Sequence, residues 1–158
     1  MGYKTNVMKI LDKNKIPYNA YEYGTGEAVS GVEVADMLGK AHENVFKTLV
    51  TVGKSKKYYV FVVPVAQELD LKKAASCVGE KSIEMIKSKD ILPTTGYIHG
   101  GCSPIGMKKF FHTTIHESAK ECDVIMFSAG KIGYQVEMSL DSLAKVIKFE
   151  FADIIVNK

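Results

Sequence analysis

Phe46-Lys47-Thr48-Leu49-Val50-Thr51-Val52 and Lys57-Tyr58-Tyr59-Val60-Phe61-Val62-Val63-Pro64-Val65 are two β-rich runs separated only by Gly53-Lys54-Ser55-Lys56. Four residues suffice for a hairpin turn and are too few for the crossover of about a dozen residues that joins parallel strands. An antiparallel pair is therefore expected at the centre of the chain.

Upstream, Val7, Met8, Ile10 and Leu11 form an apolar stripe that predicts a helix over Lys4–Asn14, closed by Pro17. Tyr18–Tyr23 is a short aromatic strand, followed by the turn Gly24-Thr25-Gly26. Ser30 and Glu33 form a capping box ahead of a two-turn helix that Gly39 stops. Downstream, Asp70 caps a helix over Leu71–Cys77 that Gly79 can end, and Lys81–Lys87 reads as the start of another. Pro93 and Gly96 then lead to a short strand at Tyr97–His99. Phe110–Ile115 and Asp123–Ser128 read as strands flanking a short Glu117–Cys122 helix. Ala129–Gly133 is a turn, Tyr134–Met138 a strand, Leu140–Ile147 a helix capped by Ser139, and Phe149–Val156 a final strand or irregular segment. Several strand pairs are joined too tightly for repeated βαβ units, so the expected class is α+β with a mixed sheet. No linker or internal repeat interrupts residues 1–158, which are expected to form one domain.

Composition agrees. With 46% hydrophobic and 25% charged residues in 158, the chain has the material for a core that buries about two-thirds of its unfolded surface. That excludes a disordered or low-complexity protein. The longest apolar stretch, Tyr58–Val65, is far short of the roughly 20 residues of a membrane span. Met1–Lys15 lacks a signal-peptide apolar core, so a cytoplasmic protein is expected. The net charge of +3 is mild, and all 21 basic residues are lysines. Bidentate arginine readout of phosphates or bases is unavailable, and any nucleic-acid contact must use lysines and backbone N–H groups. Cys77, Cys102 and Cys122 are odd in number and form no CxxC pair, against a disulfide framework or zinc knuckle.

Four places could carry chemistry. Gly100-Gly101-Cys102-Ser103-Pro104-Ile105-Gly106 is a loop whose glycines permit close backbone approach, so its N–H groups could cradle an anion or a developing oxyanion; a plain tight turn is the other reading. Lys47 sits on a strand apolar on both faces, so its ammonium either snorkels at an edge or points into a cleft. Tyr21 and Tyr23 share a strand face, as core aromatics or as hydroxyls reaching a cleft. Ala129–Gly133 is a hairpin turn or a second ligand contact. Cys102 as an enzyme nucleophile lacks an evident base, even with His99 close in sequence. His112 and His116 lie on one strand about 13 Å apart, too far for one metal, and no metal site is expected.

With these residues in view, the sequence resembles the YbaK / prolyl-tRNA-synthetase-associated editing-domain family, in particular its free-standing YbaK branch. The likeness runs from Lys13-Asn14-Lys15-Ile16 to Phe151-Ala152-Asp153-Ile154. Its landmarks are Tyr21-Glu22, Val45-Phe46-Lys47-Thr48-Leu49, Pro64-Val65-Ala66, Leu69-Asp70-Leu71-Lys72-Lys73, Thr95-Gly96-Tyr97, Gly-Gly-x-Ser-Pro-Ile-Gly at Gly100–Gly106, and Ser128-Ala129-Gly130-Lys131.

The resemblance implies a mixed, partly barrelled β-sheet surrounded by helices, and hydrolysis of the ester of mischarged aminoacyl-tRNA, with Cys-tRNA(Pro) preferred. It implies that Lys47 is the central functional residue, near the 3′-terminal adenosine and the ester. Gly101 keeps the pocket open, and Gly100, Cys102, Ser103 and Pro104 belong to the loop that contacts the aminoacyl group. Tyr21 positions substrate, and Gly130 belongs to a turn lining the pocket. The substrate's own thiol attacks its ester carbonyl, giving a cyclic thioester and free tRNA, so no enzyme nucleophile is required. The implied partners are the tRNA(Pro) acceptor end and prolyl-tRNA synthetase, with no cofactor, DNA or membrane. Two departures stand out: Gln135 replaces an aspartate common among relatives, and Ile132 an arginine. They leave open an Ala-tRNA(Pro) deacylase that uses water, and a non-catalytic module that binds tRNA acceptor ends or aminoacyl-adenosine.

Overall fold

The computed structural model describes residues 3–24 and 29–157. Helix α1 (Asn6–Lys13) starts where the Thr5 hydroxyl accepts the Met8 N–H, and it buries Val7, Met8 and Leu11. Strand β1 is Asn19–Glu22 and helix α2 is Gly31–Met37, opened by the expected Ser30–Glu33 capping box. Of the turn expected after β1, Gly24 has positive φ, while Thr25 and Gly26 lie outside the described residues.

The expected hairpin forms from β2 (Phe46–Gly53) and β3 (Tyr58–Pro64), with Phe46 opposite Pro64 and Val52 opposite Tyr58. Helix α3 (Leu71–Val78) is capped by the Asp70 carboxylate and ended by Gly79 in the left-handed region. Next come β4 (Ile83–Met85), α4 (Ser88–Thr95), β5 (His112–His116), β6 (Ile125–Ser128), β7 (Tyr134–Met138), α5 (Leu140–Leu143) and β8 (Glu150–Ala152).

A five-stranded sheet has the order β4-β2-β3-β5-β8, with β5 parallel to both β3 and β8. A three-stranded antiparallel sheet has the order β1-β7-β6. One parallel bridge, Val45 to Met126, joins the two. The main core fills the space between them: Phe46, Val60, Val62 and Ile115 meet Ile125, Phe127, Val136 and Met138, with α1 closing one side. Tyr59, Phe61 and Val63 point the other way, onto Ala74 and Ala75 of α3. Burial on both faces explains why β3 reads as a continuous apolar run rather than an alternation. No helix among the described residues is long and apolar enough to cross a membrane.

The α+β class with mixed strand directions is as expected; the two sheets do not close into a barrel. Four local expectations are corrected. Lys81–Lys87 is not a helix: Ile83–Met85 pairs with Thr51–Gly53 at the sheet edge, and helix begins only at Ser88. Pro93 lies inside α4, and Tyr97–His99 forms no strand, because Gly96 turns the chain and the Tyr97 ring is buried with its hydroxyl donating to the Ile105 carbonyl. The Leu140–Ile147 helix keeps only Leu140–Leu143 as α-helix, and Glu117–Glu121 is a 3₁₀ turn.

Candidate active site

Strand β2 is flanked by β3 along its whole length, but on its other side only by the Val45–Met126 bridge and, from Thr51 on, by β4. Between these two, Phe46–Leu49 is an open sheet edge. A cavity of about 270 Å³ lies against it, walled by Val34 of α2, by Val65, and by His99, Gly100 and Cys102 of the glycine-rich loop. Ser128 and Gln135 line it from the second sheet, with Tyr23 beyond β1. Because the cavity wraps a strand edge, Lys47 and Thr48 both line it although they belong to opposite strand faces.

Lys47 is half-buried and makes no hydrogen bond or ion pair among the described residues. Burial pulls its pKa below the usual lysine value, and the charge of Glu68 opposes this only in part. Two further residues that line the cavity carry buried polar atoms without partners: the Thr48 hydroxyl and the Gln135 amide oxygen. Buried polar groups are normally paired. Lys47, Thr48 and Gln135 thus bring three polar side chains without partners to the lining of one small cavity.

The glycine loop contributes shape more than free donors. Gly100 has φ +91, and the Gly101 N–H is consumed by the Ile98 carbonyl at 2.9 Å. A Cβ at Gly101 would lie 3.3 Å from the Ile132 backbone nitrogen and 3.5 Å from the Lys131 Cα. Gly101 thus lets two turns pack backbone against backbone; it does not itself face the cavity. Gly130, at φ +90, has the same function on the other turn, where a Cβ would stand 2.8 Å from the Tyr97 ring and 3.0 Å from Val7. Its N–H donates to the Ser128 hydroxyl at 3.1 Å. Ser103 and Pro104 are buried behind the loop, with the Ser103 hydroxyl accepting the Ile105 N–H at 3.3 Å. Burial raises the Cys102 pKa, which keeps this group a thiol rather than a nucleophilic thiolate.

Tyr21 lies elsewhere. Its hydroxyl donates to Glu137 at 3.0 Å and accepts from Lys40 at 3.2 Å, and Lys40 also meets Glu137 at 3.2 Å. Tyr21 stands directly across from Gln135 in the β1–β7 register, on the same sheet face, and packs on the cluster of Ala35, Val45, Val65 and Met126 beside the cavity. The expected residues the cavity brings together are Lys47, Gly100, Cys102 and Gln135, while Gly101, Ser103, Pro104 and Gly130 support its walls. Tyr23, read as a core aromatic or a hydroxyl reaching a cleft, lines the cavity. Sequence reasoning gave no site role to Thr48 or Ser128; a hydroxyl at position 48 in an otherwise apolar strand was the available signal.

A larger groove of about 750 Å³ between α5 and β8 gathers none of these residues. His112 there pairs with Glu150, and the buried His116 accepts the Ile154 N–H on Nδ1. Among the described residues no group of three or more His, Cys, Asp or Glu side chains could hold a metal.

Comparison with known proteins gives the chain its family and its fold relatives. A family model described as an aminoacyl-tRNA editing domain matches residues 25–146. A protein of Enterococcus faecalis (strain ATCC 700802 / V583), provisionally named Cys-tRNA(Pro)/Cys-tRNA(Cys) deacylase EbsC, is 46% identical over 152 residues, covering 96% of this chain and 93% of that protein. Among solved structures, one provisionally described as a trans-editing enzyme for prolyl tRNA synthetase superposes with a TM-score of 0.83 at 19% identity, covering 99% of this chain and all of that one. The hypothetical protein APE2540 gives a TM-score of 0.84 at 16% identity, covering 95% and 99% of the two chains. The structural likenesses establish the shared fold, and the family match and the close relative establish the kinship. The chain belongs to the aminoacyl-tRNA editing domain family.

Proposed function

We propose that the protein is a trans-editing deacylase that hydrolyses the ester of Cys-tRNA(Pro), and of other cysteinyl-tRNAs, with the whole chain acting as one editing domain in the cytoplasm. The observation that carries the reading is the cavity itself, where the half-buried, unpaired Lys47 lines one space with Gly100 and Cys102 of the glycine-rich loop and Gln135 of the second sheet. The name of the 46% identical relative supports the substrate. At about 270 Å³ the cavity falls below the roughly 300–1,000 Å³ of pockets that enclose drug-sized ligands, which suits a small aminoacyl group with its nucleoside at the mouth.

The chemistry asks little of the protein. The substrate sulfur bonds to its own ester carbonyl carbon, the C–O bond to the ribose breaks, and the thiol proton passes to the departing 3′ oxygen. Water then opens the cyclic thioester to free cysteine. Holding sulfur and carbonyl together supplies up to ~7–11 kcal/mol in favourable cases. The Lys47 ammonium offsets the charge that develops on oxygen in a space with little water, a contribution on the order of 3 kcal/mol for comparable donors. The acceptor at Gln135 takes a hydrogen bond from the substrate amine. Prolyl-tRNA synthetase is the proposed source of tRNA selection, in line with the description of the structural neighbour.

Single-turnover deacylation of Cys-tRNA(Pro), S-methylated Cys-tRNA(Pro) and Ala-tRNA(Pro) tests this. Loss of the free-thiol ester alone is expected. Equal loss of the S-methylated ester would mean that water attacks directly. Tight binding with no turnover, even with prolyl-tRNA synthetase added, would mean a binding module.

A further inference from the structure

The cavity ends at the turn Ile98–Gly101. His99 and Gly100 face it, whereas Ile98 lines a second groove, of about 470 Å³, on the other side of that turn. Gly96, Gly106 and Gly130 floor this groove, and Lys108 and Lys131 edge it. Helix α1 closes its back: a Cβ at Gly106 would meet Ile10 at 2.9 Å, and one at Gly130 would meet Val7 at 3.0 Å.

This surface is basic and aromatic together. The Lys131 ammonium stands 4.4 Å over the ring of Tyr3, which is 54% exposed and lies 5.4 Å from Tyr134. The Lys108 ammonium donates to the Pro93 carbonyl at 3.2 Å, which holds the charge at the exposed rim of the groove. Lys9 and Lys13 are exposed one turn apart on α1, away from its buried Val7, Met8 and Leu11. Two carboxylates stand nearby: Asp12, engaged by Lys4 at 2.6 Å, and Glu22, which accepts from Tyr134 at 3.4 Å. Lysines around an exposed aromatic are what a chain without arginine or tryptophan can offer to an RNA strand.

We infer that this groove holds the sugar–phosphate backbone of the RNA strand whose 3′ end enters the Lys47 cavity, with Lys108 and Lys131 at its phosphates and Tyr3 as a stacking platform. The inference rests on the editing reading of the cavity. An ester bound there is the end of a polyanion, and the polymer must leave across the adjoining surface; a groove starting one residue from the cavity wall, with lysines on both edges, is that path. An acidic protein segment would satisfy the lysines but would have no reason to begin at the cavity mouth.

The test is anisotropy titration of an unacylated RNA hairpin with a single-stranded 3′ tail, at several salt concentrations. Three proteins are compared: wild type, Lys108→Ala/Lys131→Ala, and a control of equal charge change just after α5, Lys145→Ala/Lys148→Ala, where both lysines are exposed and neither lines the proposed groove. The first double variant should bind at least about tenfold more weakly and flatten the salt slope by about 1.4, some 0.7 per lost single-strand phosphate contact. The control should stay within twofold of wild type. Equal weakening by both doubles, or an unchanged slope in the first, would overturn the assignment. Hydrolysis of cysteinyl-adenosine, which has no RNA body, should be the same in wild type and Lys108→Ala/Lys131→Ala; a matching loss there would mean a damaged cavity and would also overturn it. Hydrolysis of no ester by wild type, with RNA binding as predicted, would sink the editing reading and leave the groove supported.

Discussion

Lys40 and Lys47 are seven residues apart, and the fold treats them in opposite ways. Lys40, just beyond α2, is met by the Tyr21 hydroxyl and the Glu137 carboxylate, each at 3.2 Å, and lies 4.7 Å above the Tyr21 ring. Those partners hold its pKa above the usual lysine value. On the other side of the pair, burial works to raise the Glu137 pKa, but hydrogen bonds from Asn19, Lys40 and Tyr21 outweigh it and keep the carboxyl ionised. Lys47 has no such partner, and burial drags its pKa down. A charge that ties α2 to the second sheet is completed by the protein; the charge beside the cavity has no partner among the described residues. An unpaired buried charge weakens the fold, so its presence at the open edge of β2 points to function.

The largest effect should come from removing the bare charge. Lys47→Met should slow single-turnover deacylation at least about 100-fold, in line with the loss of one transition-state donor. Its urea midpoint should be unchanged or higher, because no partner is stranded and a desolvation cost disappears.

The comparison is sharpened by giving Lys47 a partner. Gln135→Glu would place a carboxylate in the same cavity, raising the Lys47 pKa toward that of Lys40. In wild type, activity that needs the ammonium should fall as pH rises through a lysine pKa below 10.5. In the variant this limb should move to higher pH, with a rate loss on the order of tenfold from the misplaced charge. The stability contribution of Lys47 has the same origin: it rises as pH climbs from the depressed pKa to 10.5, where the folded state binds fewer protons.

Breaking the satisfied pair should do the reverse of Lys47→Met. Lys40→Met should cost about 1 kcal/mol in urea unfolding, a modest figure because the Lys40 side chain is still 29% exposed, with deacylation within about fivefold of wild type. The smallest effect is at His116, whose Nδ1 accepts the Ile154 N–H and so requires the neutral ring. Burial lowers its pKa, against Asp153 and Glu117 and with Lys73. Its contribution is complete above about pH 6.5 and is lost as pH falls through 6.5 toward the lowered value, so His116→Gln should flatten the loss of urea midpoint between pH 7.5 and 5.

How much of this was legible in the sequence follows from what each signal depends on. The β2–β3 hairpin, the Ser30–Glu33 box and the Asp70 cap were readable because local chemistry decides them. Strand β4 was not: three residues paired to a sheet edge carry no period, and only tertiary pairing with Thr51–Gly53 makes them a strand. Lys47 was marked by its cost, a charge on a strand apolar on both faces, whereas its cavity depends on where β4 stops covering β2. The glycine loop was visible as a loop, but not that the Gly101 N–H closes a turn or that its missing side chain admits the Ile132 backbone. Tyr21 and Tyr23 looked alike; the register sends the Tyr21 hydroxyl to Glu137 and leaves Tyr23 to the cavity.

The central claim is that Lys47 is the charge the fold leaves unpaired for its substrate. The most direct measurement is single-turnover hydrolysis of Cys-tRNA(Pro) by wild type, Lys47→Met and Lys40→Met, with the urea midpoint of each. Lys47→Met should lose activity without losing stability, and Lys40→Met should lose stability while largely keeping activity. A Lys47→Met protein that unfolds more easily yet deacylates at the wild-type rate would contradict it.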